Sequence, residues 1–543
     1  MSASVESTTV GSSFYLGTNP SPQAFTKYAK KHDIFLHPNV AFLVPTKTMG
    51  FGVFATRPLP AGTVVISCPE DSGVSPYMKE VATSPCVAAL HGSPAAMKDA
   101  VLFDVLVLMA ELSRENSLWR PWLEACPRME HHFFDLTSAQ AAVLGTESVI
   151  LGGVGAPLWE ASSVPGETSV VASATLGLTG VTCVAQALGE LRAMQRWAAA
   201  QTIMAAFPDV WPARTASFGL FCEALSQVFS RNFHREELPG REGPYLLPGL
   251  DILNHSFAPN TTFEVRGGGR KHATAFTVVT TRAVRKGEQV YGCYGRIGAA
   301  RFAVEFQFLT KTILRNDLVR CSAASLATVA TVLRYWKAAR ETVACDVGSS
   351  AITEYLCCGA DDAASSTESG AIAWKPSLFG SDTAADIEAH RQEMAWRVER
   401  LQRLGLLYDE GLYLVRPYAT WEREEAAEPA PSFRWSTPAE HEKEVAQHRR
   451  VLAATVYLLT AAKSVFDDVY YRITADWEPP QLPQLSAAVR EFMHIKIVAA
   501  QWQRDAARDA FGDSSRDAVR GQLVRDVLAS EIETLRFYAG SFF

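Results

Sequence analysis

Two stretches carry the reading of this chain: Gly249-Leu250-Asp251-Ile252-Leu253-Asn254-His255-Ser256-Phe257-Ala258-Pro259-Asn260 and, downstream, Gly287-Glu288-Gln289-Val290-Tyr291-Gly292-Cys293-Tyr294-Gly295. Alone, the first reads as a polar turn whose Asp, Asn and Ser side chains cap their own backbone. It sits inside strand-like text running from Tyr245 to about Tyr294. Just upstream, Ser217 to Arg231 is an amphipathic helix, with Phe218, Phe221, Cys222, Leu225, Val228 and Phe229 at helical spacing on one face. Far upstream, Gly50-Phe51-Gly52 opens a strand through Val53 and Ala55; Pro60-Ala61-Gly62 is a turn, and Val64-Val65-Ile66 is the returning strand. Thr56-Arg57-x-Leu59-x-x-Gly62-x-x-Val65 is echoed by Thr281-Arg282-x-Val284-x-x-Gly287-x-x-Val290, which marks either chance or two similar β units in one scaffold.

The bulk numbers bound the class. A chain of 543 residues is too long for one core and implies two or three domains. Hydrophobic residues at 48% and charged residues at 20% are those of a globular protein, and a net charge of -7 makes a general nucleic-acid binder a poor expectation. The ten cysteines form no C-x-x-C pair and no zinc spacing, so we expect no metal site and reduced thiols in an intracellular protein of the cytoplasm or nucleus. The vicinal pair Cys357-Cys358 is either redox-active or an accident of a loop. Met1 to Gly17 lacks the layout of a secretory signal. Thr168 to Gly189 carries no charge and is long enough to span a bilayer, yet it is rich in Thr, Ser and Gly and unflanked by Lys/Arg or aromatic anchors; the expectation is an insertion, with no membrane span. Dinucleotide, P-loop, nucleophile-elbow and zinc-hydrolase motifs are absent.

Along the chain, residues 1–24 read as a flexible tail, 39–69 as short strands, and Val101 to Leu112 as an apolar helix. Residues 143–200 are low in charge, with helix expected near Gln186 to Ala200. After Phe308 helical patterns dominate: Ala439 to Asp468, Ser486 to Asp509 and Gln522 to Tyr538. Gly348 to Gly370 and Glu422 to Ser432 read as loops or linkers.

Asp251-x-x-Asn254-His255 followed by Gly287-Glu-Gln-Val and Tyr294-Gly295 resembles the catalytic end of SET-domain methyltransferases, and Gly50-Phe-Gly52 resembles that family's opening strand. Ser230-Arg231-Asn-Phe233, and Ser117-Leu-Trp119-Arg-Pro-Trp122 after the Glu111 helix, resemble the branch of the Rubisco large-subunit lysine methyltransferases. The resemblance implies an α+β fold. A β-rich SET domain occupies residues 25–310, with a helical and loop insertion over about residues 100–230. An all-α C-terminal domain, residues 311–543, would bind a protein substrate on a monomeric enzyme. It implies S-adenosyl-L-methionine as cofactor and a lysine side chain as acceptor.

Such a transfer needs a neutral amine, aligned nitrogen, methyl and sulfur, and little water. The resemblance puts Tyr294 at the reaction centre, as a positioning group, because a phenol is a poor base at neutral pH. It puts Gly50, Phe51, Gly52, Phe54, Arg231, Asp251, Asn254, His255 and Phe308 around the cofactor, with the planar fork of Arg231 suited to a bidentate grip on its carboxylate. It puts Phe233, Tyr291 and Phe306 along the channel for the target side chain. Phe233 favours lysine over histidine as target, histidine methylation being one alternative. The branch's Tyr-Gly-Phe is Phe306-Gln307-Phe308 here, which sustains the other alternative, a SET-like binding module without catalysis.

Overall fold

The computed structural model describes residues 21–46, 49–78, 84–129, 131–144, 181–235, 237–267, 274–343, 384–408, 411–417, 438–473, 477–480, 482–512 and 515–541. The chain divides into two compact units, one comprising Met1–Glu130 with Arg196–Tyr294, the other His131–Gln195 with Gly295–Phe543. The loops expected at 348–370 and 422–432, the pair Cys357-Cys358 and most of the uncharged stretch 168–189 lie outside the described residues.

Among its described residues the first unit holds ten short strands: β1 Phe35–Leu36, β2 Val40–Pro45, β3 Phe51–Ala55, β4 Val64–Pro69, β5 Asn232–Phe233, β6 Tyr245–Leu246, β7 Asn254–His255, β8 Thr261–Arg266, β9 Ala275–Thr280 and β10 Gln289–Gly292. They form one sheet in the order β1-β4-β9-β8, another in the order β2-β3-β10-β7, and a two-stranded ribbon of β5 and β6. The repeated sequence explains this layout. Each copy is a strand, a glycine turn and a returning strand, and the copies exchange partners: β3 pairs antiparallel with β10, and β4 with β9. The glycine turns, at Gly62 and Gly287, have φ of 79° and 78°, a conformation that a Cβ disfavours.

Helices close this unit. The helix Phe218–Arg231 starts where Ser217 Oγ accepts from the Leu220 N–H, and it buries Phe221, Cys222, Leu225 and Val228. It packs on the helix Ala100–Leu112, which is apolar around nearly its whole circumference because it is buried on all sides. Helix also begins inside the expected tail. Ser21 caps Pro22–Lys31, proline stands in the first turn, and Phe25, Tyr28 and Ala29 are buried, so residues 21–24 are ordered by that burial.

The second unit is largely helical, with Pro438–Thr460, Lys463–Tyr470, Pro483–Phe511 and Ser515–Gly540 among its helices. One expectation fails here: the C-terminal half is not purely α. The strands β11 Leu318–Cys321 and β12 Leu412–Val415 pair antiparallel. In β11, Val319 and Cys321 are buried while Leu318 and Arg320 are half-exposed, a period of two too brief to stand out among long helical patterns. The helical pattern over Ala439–Asp468 forms two helices that break between Thr460 and Lys463, and the helix expected near Gln186–Ala200 comes as two, Cys183–Glu190 and Ala193–Ala206. The start of the first of these is held from within this unit. The buried Lys496 Nζ donates to the Val181 carbonyl at 2.5 Å and lies 3.7 Å from Glu531, whose Oε2 accepts from the Cys183 N–H at 3.0 Å.

Among the described residues no helix is long and apolar enough to cross a membrane, and no His, Cys, Asp and Glu group could hold a metal ion. The seven described cysteines are free thiols.

Candidate active site

β7 and β10 run parallel, with Asn254 opposite Tyr291 and His255 opposite Gly292. This pairing brings the two signature stretches together. Beyond β10 the chain folds back, so that the Tyr294 N–H donates to His255 Nδ1 at 3.2 Å and the Tyr294 hydroxyl donates to the Leu253 carbonyl at 2.9 Å. The two rings lie 5.2 Å apart. Burial pushes the Tyr294 phenol up to about 12, against the opposing pull of the Arg231 charge. Burial pushes His255 down to about 4, so at neutral pH its ring is uncharged. Because Nδ1 accepts, its proton resides on Nε2.

Asn254 ties the turn to the opening strand: its Nδ2 donates to the Phe51 carbonyl at 3.1 Å. Gly52 sits beneath two side-chain amides. A Cβ there would lie 2.5 Å from Gln289 Nε2 and 3.0 Å from Asn254 Nδ2, so only glycine lets these two side chains pack against the strand. Gly50 is glycine for a different reason, a φ of 64°, since a Cβ there would meet nothing within 4 Å. Phe54 is half-buried in β3, in register with Gln289.

Asp251, for which turn capping was one expectation, pairs with Arg231. The Asp251 side chain has no exposed surface: Oδ1 accepts from the Gly249 N–H at 3.0 Å, and Oδ2 accepts from Trp122 Nε1 at 2.8 Å and Arg231 Nη1 at 2.9 Å. This carboxylate braces the turn that carries Asn254. Arg231 Nε donates to Gln227 Oε1 at 2.9 Å. Both two-nitrogen edges of the guanidinium therefore have one donor committed, and the expected bidentate grip gives way to a single donor at Nη2.

Phe233 stands on β5 with its ring 5.2 Å from that of Phe263. Phe263 also roofs Gly292, where a Cβ would meet its ring at 3.3 Å. Phe263 was not singled out from the sequence, although it shares a face of β8 with Val265 and stands opposite Val278 of β9. Asn260 was quoted but given no role. Fully buried, it accepts from the Tyr291 N–H and donates to the Gln289 carbonyl, both at 2.8 Å, while Thr261 Oγ1 donates to the Tyr291 carbonyl at 2.7 Å. These side chains serve as one more strand for β10, fixing the half-buried Tyr291.

Phe306 and Phe308 belong to the second unit. There they pack with Phe302, at ring separations of 5.5 to 6.5 Å. Gln307, between them, has a φ of 60° and accepts from the His131 N–H through Oε1 at 2.8 Å. A glycine would adopt this left-handed backbone without a Cβ penalty.

Residues 50–295 match the family model described as SET domain. The chain carries a SET domain. A solved structure of Rubisco LSMT bound to sinefungin and monomethyllysine aligns over 96% of this chain and 92% of its own, with a TM-score of 0.51 and 15% identity. The LSMT SET domain bound to lysine and AdoHcy aligns over 96% and 91%, with a TM-score of 0.49 and 15% identity. The first of these likenesses shows that the fold is shared. No curated protein matches the chain by sequence. The SET domain match begins at Gly50 and ends at Gly295, so it brackets the opening strand and Tyr294.

Proposed function

We propose that this protein is a protein-lysine N-methyltransferase that uses S-adenosyl-L-methionine. The observation that carries the reading is the closure of Tyr294 on the Leu253-Asn254-His255 turn through both its N–H and its hydroxyl. The Nη2 of Arg231, held beside the turn by the bonds of the same guanidinium to Gln227 and Asp251, suits the carboxylate of a cofactor. Asn254 and the Nη2 edge of Arg231 would hold the cofactor, which supplies an electrophilic methyl on a positively charged sulfur.

The chain's own residues account for the rest. With its phenol near 12, Tyr294 stays protonated at neutral pH and acts by position rather than as a base. Its oxygen donates to Leu253 and keeps acceptor capacity for a polarised methyl or an amine N–H. A lysine ammonium entering this site loses hydration and meets positive charge, and both effects favour the neutral, nucleophilic amine. Phe233, Phe263 and Tyr291 provide an aromatic lining for an aliphatic stem, and the absence of an amide at position 233 supports lysine over histidine. The second unit is the proposed docking surface for the protein substrate.

Calorimetry with S-adenosylmethionine and its demethylated product tests the first half of this reading, and no heat with either ligand overturns it. Incubation of a cell extract with labelled cofactor tests the second half. Tyr294→Phe should cut labelling of the substrate band by at least about a hundredfold, and undiminished labelling removes Tyr294 from the reaction.

A further inference from the structure

Four segments of the second unit close around a cavity of about 300 Å³: the helix Cys183–Glu190, residues 296–301, β11 and β12. Close contacts enforce their meeting. A Cβ on Gly298 would lie 2.4 Å from the Leu318 carbonyl, so the 296–301 segment can lie against β11 only with glycine there. Asp317 Oδ1 accepts from the N–H groups of Ala299 at 2.8 Å and Leu318 at 2.7 Å, which ties both segments to one carboxylate. The Cys183 thiol accepts from the Arg320 N–H at 3.3 Å and fixes the helix to the same strand. Segments anchored this closely ordinarily leave no void much larger than a water molecule, whereas this volume lies at the lower end of the range of small-molecule sites.

The wall carries a charge pattern. Arg296, Arg301 and Arg320 line it against a single carboxylate, that of Glu190. Three cations face one anion, an excess of two positive charges. Two further glutamates, which are not part of the wall, brace two of the arginines. Glu444 takes both Nη atoms of Arg296, with Nη2 at 2.6 Å, and Glu305 takes Nε and Nη2 of Arg301 at 2.7 and 3.1 Å. Arg320 pairs with Glu190 itself. A chelated carboxylate uses two of the five N–H donors of a guanidinium, so this pairing orients the group without exhausting it. The cationic side chains are therefore held in place before a ligand arrives, and an incoming anion is spared much of the cost of ordering them. Ile297 and Leu318 add apolar wall, which suits a carbon body.

We infer that this cavity binds a small organic dianion, a dicarboxylate or a phosphate monoester, with its charged groups on the arginines and its carbon body against Ile297 and Leu318. The proposed methyl transfer makes no use of these residues, so the inference stands apart from that reading.

The test uses the full chain without S-adenosylmethionine, at about 0.15 M salt so that diffuse surface charge is screened. Succinate and glycerol 3-phosphate are the probes, and glycerol is the uncharged control. At least one dianion should bind in calorimetry with a dissociation constant below about 1 mM and raise the unfolding temperature, while glycerol does neither. Which of the two binds distinguishes a dicarboxylate site from a phosphate site, and binding by neither overturns the inference. Arg301→Gln and Arg320→Gln should each weaken binding about tenfold or more. Arg472→Gln, at an exposed arginine of the same unit outside the cavity, should leave it unchanged. Affinity within twofold of the parent in either cavity variant overturns the inference, as does an equal loss in Arg472→Gln. Ile297→Trp keeps every charge and fills the cavity, so it should abolish binding. It decides the matter should the arginine variants fail to fold, and retained affinity there overturns the inference equally.

Discussion

Leu59 and Val284 donate their backbone N–H groups to each other's carbonyls, both at 2.9 Å. The bonds around this pair repeat in mirrored order. Gly287 donates to the Ala55 carbonyl as Gly62 donates to that of Thr280, and Ala55 donates to Glu288 as Thr280 donates to Thr63. The Leu59–Val284 contact is thus the centre of a local two-fold relation between the two sequence repeats. The resulting rigid double turn sets the register of β10 against β3, and through it the distance from Gly52 to Gln289 and Asn254.

This relation makes a quantitative prediction. A Cβ at Gly62 or Gly287 meets nothing within 4 Å, so substitution by alanine costs only the left-handed backbone conformation. Each of Gly62→Ala and Gly287→Ala should lose about 1–2 kcal/mol of stability, and the two losses should be equal within error. Chemical denaturation of both variants measures this. A large asymmetry would mean that the turns are equivalent in geometry but not in energy.

Asp251 should matter for folding rather than for chemistry. Removing its side chain strands the guanidinium of Arg231, whose side chain is 11% exposed, and leaves the Trp122 indole N–H without its acceptor. Asp251→Ala should cost about 3–5 kcal/mol. Urea denaturation reads the loss, and a cost under about 1 kcal/mol would show that this brace is dispensable.

Asp104 gives a pH signature. It is completely buried on the helix Ala100–Leu112, and neither carboxyl oxygen has a partner. Burial first, and the charge of Asp99 second, hold its pKa well above the ordinary value. The folded state therefore holds this proton more tightly than the unfolded chain. The group's contribution to stability is present below the unfolded pKa of about 3.9 and is lost as pH rises through the folded value. Asp104→Asn cannot ionise, so its stability relative to the parent should increase as pH rises above about 4 and level off once the folded value is passed. Denaturation of both proteins across that range shows whether the difference grows; a flat difference refutes the reading.

Gln307 separates strain from bonding. Both Gln307→Ala and Gln307→Gly lose the bond to the His131 N–H, but only glycine relieves the left-handed φ of 60°. The glycine variant should be the more stable of the two by about 1 kcal/mol. Thermal unfolding of the pair decides it, and an alanine variant at least as stable as the glycine one would show that the backbone there is unstrained.

Local rules made much of this protein legible. Ser217 before a run of apolar residues at helical spacing specified Phe218–Arg231, and the glycine turns specified β3–β4 and β9–β10, because caps, turn glycines and periodicity act within a few residues. The order of Gly50-Phe51-Gly52, Arg231, Asn254-His255 and Tyr294 along the chain was likewise enough to indicate a SET domain.

What only tertiary structure decided is which of those side chains face each other. Trp122 and Asp251, or Gly52 and Gln289, are far apart along the chain, and no periodicity encodes their meeting. The sequence alone determined that Asn254, His255 and Tyr294 belong to one site. The fold determined that Asp251 braces the turn and commits two nitrogens of Arg231, and that Gln289 packs over Gly52, because burial and hydrogen-bond satisfaction depend on neighbours brought in from other strands and helices.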